Sequence, residues 1–317
     1  MKHVFLINPA AGKRDKSREY LAQIQGACAG LDYTVRISQQ PGDITAWARQ
    51  AAAAGQPVRL YACGGDGTLN ETVNGAAGFP NAAVTHFPGG SGNDFIKIFS
   101  DTRPFFRLAA LLNPEEADFD LIDCNGEYAL NVCSLGLDAR IGTDVAKYKR
   151  IPLVSGSGAY LLSALVNTAK GVTQPLRVEL PDQRLEGRLT MVYVGNGRWY
   201  GGSFHPVPEA DPCDGLLDVL LVQPVSRLKV VTVIGKYKIG QYARYPQLIR
   251  HLRTDRLEIF SPTPTAVNLD GELRRAESVS IRTAKTKLRF FYPRGLCWAS
   301  GDRQTARFCA SGKTAAL

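Results

Sequence analysis

Short apolar runs separated by amphipathic stretches fill the first hundred residues. Residues 4–7, Val-Phe-Leu-Ile, have the length of a buried strand and stop at Asn8-Pro9, while residues 17–28 space their apolar positions as a helix does. Residues 33–37 alternate like a strand, and Asp43 is placed to cap an Ala-rich helix that ends before Gly55. Strand-length runs return at 58–63 and at 83–87, which Pro88 ends, with a helix beginning over 69–74 between them. Strands alternating with helices predict a mostly parallel sheet covered on both faces, with ligands beyond the carboxyl ends of its strands.

Past Asp118 the pattern changes to short strand-like runs with frequent turns, at 121–124, 128–133, 176–180, 189–194, 216–222, 256–260, 278–282 and 288–292. Two helical intervals, 158–168 and 225–242, interrupt them. This texture predicts an antiparallel β-sandwich. The expected division is an α/β domain over residues 1–125, a sandwich over 126–293, and a tail over 294–317, which lacks apolar periodicity.

Composition narrows the class. A chain of 317 residues is long enough for two cores, and 44% hydrophobic with 21% charged residues is ordinary for a globular protein. No apolar run approaches the roughly 18 residues of a membrane span. The N-terminus has no signal-peptide pattern, which makes the cytoplasm the expected location. Seven scattered cysteines without a Cys-x-x-Cys read as free thiols, and four scattered histidines give zinc little to bind. Any metal is expected to be oxygen-ligated, as magnesium prefers. The net charge of +9 is uneven: residues 250–317 hold 13 Lys or Arg against 6 Asp or Glu. A solvated basic surface accounts for that excess, as does peripheral contact with anionic membrane headgroups; interleaved aromatics are too few for nucleic acid, and a homodimer stays open.

The chemistry concentrates in three loops at one end of the predicted sheet. Gly64-Gly65-Asp66-Gly67-Thr68-Leu69-Asn70 follows a strand and opens a helix, where backbone N–H groups and the helix dipole favour an anion. A carboxylate there makes sense beside phosphates when a cation lies between them, so Asp66 suggests a magnesium nucleotide; a glycine-rich turn with Asp66 as a helix cap is the plain alternative. Asn8-Pro9-Ala10-Ala11-Gly12-Lys13 follows the first strand and Pro88-Gly89-Gly90-Ser91-Gly92-Asn93-Asp94-Phe95 the fourth. Each alone is a turn; together they make a phosphate site. Neither a P-loop nor a dinucleotide fingerprint occurs.

These three blocks, in this order, resemble the diacylglycerol kinase catalytic-domain family, which includes bacterial lipid kinases, sphingosine kinases and ceramide kinases. The resemblance spans about residues 3–293. Gly-Gly-Asp-Gly-Thr alone also fits NAD kinases and, less well, phosphofructokinases, whose N-terminal fold would be the same; the Asn8 to Lys13 and Ser91 to Phe95 blocks point to the lipid branch.

The resemblance implies an ATP site built from Asn8 to Gly12, Ser38, Gly64 to Asn70 and Ser91. Ser38 and Ser91 keep a hydroxyl where the family often has Thr. It implies that Glu272, in Leu269-Asp270-Gly271-Glu272, takes the proton of a lipid hydroxyl, with Asp66 the second candidate for that role. Without the family, Asp-Gly before a strand is a hairpin turn. It further implies a structural magnesium at Asp211, Asp214 and the carbonyl of Leu216, and familial blocks around Asn131, Asp138 and Asn196. The expected activity is γ-phosphoryl transfer from ATP to a lipid hydroxyl such as that of diacylglycerol, in phospholipid metabolism. An NAD kinase-like enzyme and a non-catalytic nucleotide- and lipid-binding regulator are the alternatives.

Overall fold

The computed structural model describes residues 1–140, 163, 166 and 173–298. Two compact units emerge among the described residues, one from residues 1–121 together with 285–298, the other from the described part of Ile122–Ala284.

The first unit is built on strands β1 (Lys2–Ile7), β2 (Tyr33–Ile37), β3 (Val58–Gly64), β4 (Ala82–Pro88), β5 (Pro114–Phe119) and β16 (Leu288–Pro293), in the order β2-β1-β3-β4-β16-β5. The β2, β1, β3 and β4 ladders are parallel. Inside the sheet such strands are buried on both faces, which is why Val4 to Ile7 and Ala82 to Pro88 are mostly apolar, whereas edge strand β2 stays largely exposed. Helices α1 (Ser17–Ala27), α2 (Asp43–Ala53) and α3 (Asp66–Ala76) bury one stripe each; α2 does so with Ile44, Ala48 and Ala52, four residues apart. A short helix α4 (Leu108–Leu112) adds Leu108 and Leu111. Asp43 is the first helical residue rather than the cap: Gly42 holds the cap position at φ 90°, and the Asp43 carboxylate accepts from Gln39 and Gln40 N–H at 2.9 and 3.1 Å.

Strand β16 corrects the expected division. It lies beside β4 in parallel and pairs antiparallel with β5, so residues 288–293 belong to the first sheet and not to the sandwich. Its Phe290, Phe291 and Tyr292 are buried in succession, as a central strand requires, and Tyr61 meets Phe291 edge-on at 5.0 Å. Strand β5 was not legible because Glu115, Glu116 and Asp118 break any apolar run; its pairing comes from β16. The expected tail also starts later than residue 294. Ser100 N–H donates to the Cys297 carbonyl at 2.7 Å, and Trp298 packs on Phe119 at 5.2 Å. Residues 299–317 lie outside the described residues.

The second unit is antiparallel. Strands β6 (Ile122–Cys124), β7 (Glu127–Ala129), β8 (Val132–Gly136), β11 (Met191–Gly195), β12 (Leu217–Val222), β13 (Ile249–Thr254), β14 (Arg256–Leu269) and β15 (Glu272–Thr283) run in the order β13-β12-β11-β8-β14-β15-β6-β7. The hairpin β9 (Gln174–Leu180) and β10 (Gln183–Leu189) joins through β14. One core packs Val192, Val194, Val219 and Leu221 with Val178, Ile259 and Ile281. The opposite faces of β11 and β12, with Met191, Tyr193, Leu220 and Val222, form a second cluster with helix α5 (Arg227–Lys238) through Val233 and Tyr237. Strand β14 runs well past the expected residue 260. Its pairing shifts register between Phe260 and Thr265, where Pro262 and Pro264 remove ladder donors and hide the strand in the sequence. Of the helix expected over 158–168, all but residues 163 and 166 lie outside the described residues. Five cysteines are free thiols as expected, whereas Cys297 is disulfide-bonded.

Candidate active site

The chain leaves β1 for β2 on one side and reaches β3 on the other, so the carboxyl ends of β1 and β3 flank a topological switch point, where open α/β sheets bind ligands. All three glycine-rich loops belong to that edge. The loop after β1 is a tight turn fastened to β3: Asn8 N–H donates to the Cys63 carbonyl at 3.0 Å, and Asn8 Oδ1 accepts from Ala10 N–H at 3.0 Å. Lys13 and Ser91 are exposed, and half-buried Ser38 donates its N–H to the Ile7 carbonyl at 2.9 Å, at the same edge.

Backbone approaches backbone here more closely than side chains allow. Gly12 has φ 83°, and a Cβ on it would stand 2.5 Å from the Gly89 carbonyl oxygen; one on Gly90 would stand 2.5 Å from the Gly65 Cα. The Gly64 carbonyl draws the loops together by accepting from Gly89 N–H at 2.7 Å, Gly90 N–H at 3.2 Å and His86 Nε2 at 3.0 Å. His86 is fully buried in β4, and desolvation lowers its pKa to about 4, so the neutral ring donates through Nε2. This residue was missed by sequence reasoning, although a histidine within an apolar strand must find a partner.

Asp66 sits at the start of α3, and its carboxylate turns toward the third loop. Oδ2 accepts from Asn93 N–H at 2.8 Å and Oδ1 from Asp94 N–H at 2.5 Å. Burial raises its pKa, opposed by those two N–H groups and by Lys97, which pairs with Asp94 at 2.5 Å. Both oxygens therefore hold the 89–94 loop in place. The Thr68, Leu69 and Asn70 side chains are buried in the packing of α3, which leaves the first-turn N–H groups of that helix to face an anion.

In the second unit, Asp270-Gly271 forms the two-residue turn between β14 and β15, with φ 50° and 99°, as a type I′ hairpin requires. The Asp270 carboxylate accepts from the N–H groups of Leu130, Asn131 and Val132 at 2.5 to 3.2 Å, and Asp270 N–H donates to the Val132 carbonyl. The turn is thereby clamped to the strand entrance that carries Asn131, whose carbonyl accepts from Asn196 and Gly197 N–H. Glu272 follows with its side chain 47% exposed and Arg274 at 4.0 Å. A carboxylate held at a rigid turn and open to solvent can accept a proton.

The Asp211–Leu216 turn closes on protein donors. Asp211 Oδ1 accepts from Cys213 N–H at 3.1 Å, Asp214 Oδ1 accepts from Leu216 N–H at 2.9 Å, and Asp214 Oδ2 pairs with Arg253. Burial raises the Asp214 pKa against the pull of those donors. In this arrangement the Arg253 guanidinium stands at the Asp214 carboxylate edge that would face a cation. No cluster of three or more His, Cys, Asp or Glu suited to a metal occurs among the described residues.

Asp138 lies elsewhere in the unit, buried, accepting from Ser134 Oγ at 2.6 Å and Tyr200 OH at 3.0 Å. It is the charged residue among those described around an apolar pocket of about 60 Å³, walled by Met191, Val222, Val230, Val233, Tyr237 and Ile249.

Comparison with known proteins identifies the family. Residues 2–130 match the diacylglycerol kinase catalytic domain and residues 131–291 the YegS C-terminal NAD kinase beta sandwich-like domain. A Pseudomonas aeruginosa protein described as "Probable lipid kinase YegS-like" is 30% identical over 268 residues, 84% of this chain and 87% of its own. A Stenotrophomonas maltophilia protein of the same description is 28% identical over 304 residues, 92% and 96% of the two chains. Two solved structures from Bacillus anthracis str. Sterne, the second described as a diacylglycerol kinase, share the fold with TM-scores of 0.72 and 0.66 at 24% and 21% identity, each covering 92% of this chain and 96% of its own. With both halves of its sequence matched in order, this chain belongs to the diacylglycerol kinase catalytic-domain family of lipid kinases, with a YegS-type C-terminal domain.

Proposed function

We propose that this protein transfers the γ-phosphoryl group of magnesium-bound ATP to the hydroxyl of a lipid of the diacylglycerol class, as a step in phospholipid metabolism. The observation that carries the lipid assignment is the apolar pocket in the unit that bears Glu272, because its walls suit an acyl chain. A soluble acceptor such as NAD has no use for it.

In this reading the backbone N–H groups of Gly12, Gly65, Gly67 and Ser91, with Lys13 and the Ser38 and Ser91 hydroxyls, receive the triphosphate. Charge stabilisation and alignment supply most of the rate acceleration. Glu272 accepts the proton of the lipid hydroxyl as its oxygen bonds to the γ-phosphorus. The bond from the γ-phosphorus to the bridging oxygen breaks, and ADP leaves with that electron pair. Asp66 positions the 89–94 loop and is not the base. No step is assigned to a metal at Asp211, Asp214 and Leu216, given the ion pair there. Action on lipid from the cytoplasm, with peripheral membrane contact, completes the proposal.

ADP release by the purified protein with magnesium-ATP tests it, comparing micellar diacylglycerol, other lipid alcohols and NAD. Lipid-dependent ADP release with a phosphorylated lipid product is expected. NAD-dependent release, or saturable ATP and lipid binding without product, contradicts it.

A further inference from the structure

Residues 219–254 contain seven Lys or Arg and no Asp or Glu, where the chain's 29 acidic residues in 317 would place about three. Helix α5 lies in the middle of this stretch. Its inner face, with Val230, Val233 and Tyr237, walls the apolar pocket. Its outer face is the exposed series Leu228, Thr232, Gly235 and Ile239, spaced by four, three and four residues and without charge. Leu228 is 83% exposed and Ile239, just past the helix, 53% exposed. They are 11 positions apart, about 16 Å along one side of the helix, which is three turns.

Around this stripe stand Lys229, Lys236 and Lys238. The Lys229 ammonium lies 5.7 Å from the Tyr245 ring centroid and that of Lys238 5.6 Å from the Phe204 ring centroid, so each cation sits over an aromatic face. An uncharged stripe ending in two large apolar residues and flanked by three lysines matches the chemistry of an anionic bilayer surface, with acyl carbon below and phosphate oxygens above.

We propose that the outer face of α5 docks this protein on anionic lipid bilayers, Leu228 and Ile239 entering the acyl boundary while Lys229, Lys236 and Lys238 meet phosphate headgroups. The inference rests on the lipid-kinase reading for its purpose. A membrane on the outer face lies about one helix diameter, 10 Å, from a pocket walled by the inner face.

The test is cosedimentation of the full-length protein with phosphatidylcholine vesicles, with and without phosphatidylglycerol, at two salt concentrations. Wild type is expected to bind only the phosphatidylglycerol vesicles, and less at higher salt. Lys229→Glu with Lys236→Glu is expected to lower that partitioning about a hundredfold or more, since each unit of charge at the surface is worth about fivefold, or about 1 kcal/mol. Leu228→Asp should lower it about tenfold, and an equal charge change at exposed Arg103 and Arg184, both to Glu, should leave it within about threefold of wild type. Equal loss in the Arg103/Arg184 variant, or wild-type binding by the lysine variant, overturns the proposal. So does a change of oligomeric state rather than of vesicle binding in Leu228→Asp, which would make the stripe a contact between copies. Phosphorylation of lipid in detergent micelles separates the two readings. Its absence from a protein that docks defeats the kinase reading alone, and its presence in all variants of a protein indifferent to phosphatidylglycerol defeats the docking alone.

Discussion

Glu272 owes its prominence to one physical contrast: its carboxylate is open to solvent on a rigid turn, while that of Asp66 is buried and occupied by two backbone N–H groups. Replacing Glu272 with Gln is therefore expected to leave the melting temperature unchanged and to lower kcat by roughly a hundredfold or more, the usual worth of a general base. Thermal melts and initial rates on micellar lipid check both halves. His86 makes a different prediction. At its ordinary value of 6.5 the unfolded chain binds a proton that the folded protein, with a value near 4, has lost. The unfolded state binds more protons between those values, so stability rises with pH across that window, by about 3 kcal/mol for a shift of this size, and is flat above it. Urea midpoints measured from about pH 4 to pH 7 should show this slope in wild type and lose most of it in His86→Gln; an unchanged slope in the variant would assign it to other groups. Neither residue's surroundings were legible in the sequence. Glu272 was visible only through the family motif, and His86 gave only a polar letter in an apolar strand.

At the scale of elements, the loops were the most legible part of the molecule, because glycines at Gly12, Gly64, Gly65, Gly89 and Gly90 announce close backbone approach by their residue type alone. Gly12→Ala puts a methyl group against the Gly89 carbonyl at a positive φ, which costs about 1–2 kcal/mol from the backbone alone. A raised KM for ATP with little change in KM for lipid is expected from steady-state kinetics. The Asp270-Gly271 turn was legible as a hairpin, but not as a clamp, since its partners Leu130 to Val132 are some 140 residues away in the chain. Asp270→Asn separates these roles: Asn-Gly suits the same turn, so the loss of charge-assisted hydrogen bonds should appear by itself, as about 1–3 kcal/mol by denaturant titration. Strand β5 and the part of β14 beyond Phe260 escaped prediction for an opposite reason. Their charged and proline residues contradict local propensity, and pairing with distant strands overrides it.

The whole molecule is divided differently from the chain. The parallel character of the first four strands could be read from alternation, and the antiparallel second unit from its turns. Where the last strand goes could not, because Leu288 to Tyr292 is apolar enough for either sheet and only pairing decides. Residues 122–284 are therefore continuous and carry their own cores, whereas residues 1–121 lack the strand that joins β4 to β5. A fragment of residues 122–284 is expected to unfold cooperatively by circular dichroism, and a fragment of residues 1–121 to remain without a thermal transition unless the segment from Lys285 onward is supplied. A cooperative melt of residues 1–121 alone would contradict this division. Phosphoryl transfer to lipid draws on both units, and transfer of label from γ-labelled ATP to micellar diacylglycerol by full-length wild type and Glu272→Gln tests it most directly. Labelled phospholipid is expected from wild type and roughly a hundredfold less from the variant. No labelled lipid from wild type, or equal amounts from both, would contradict it.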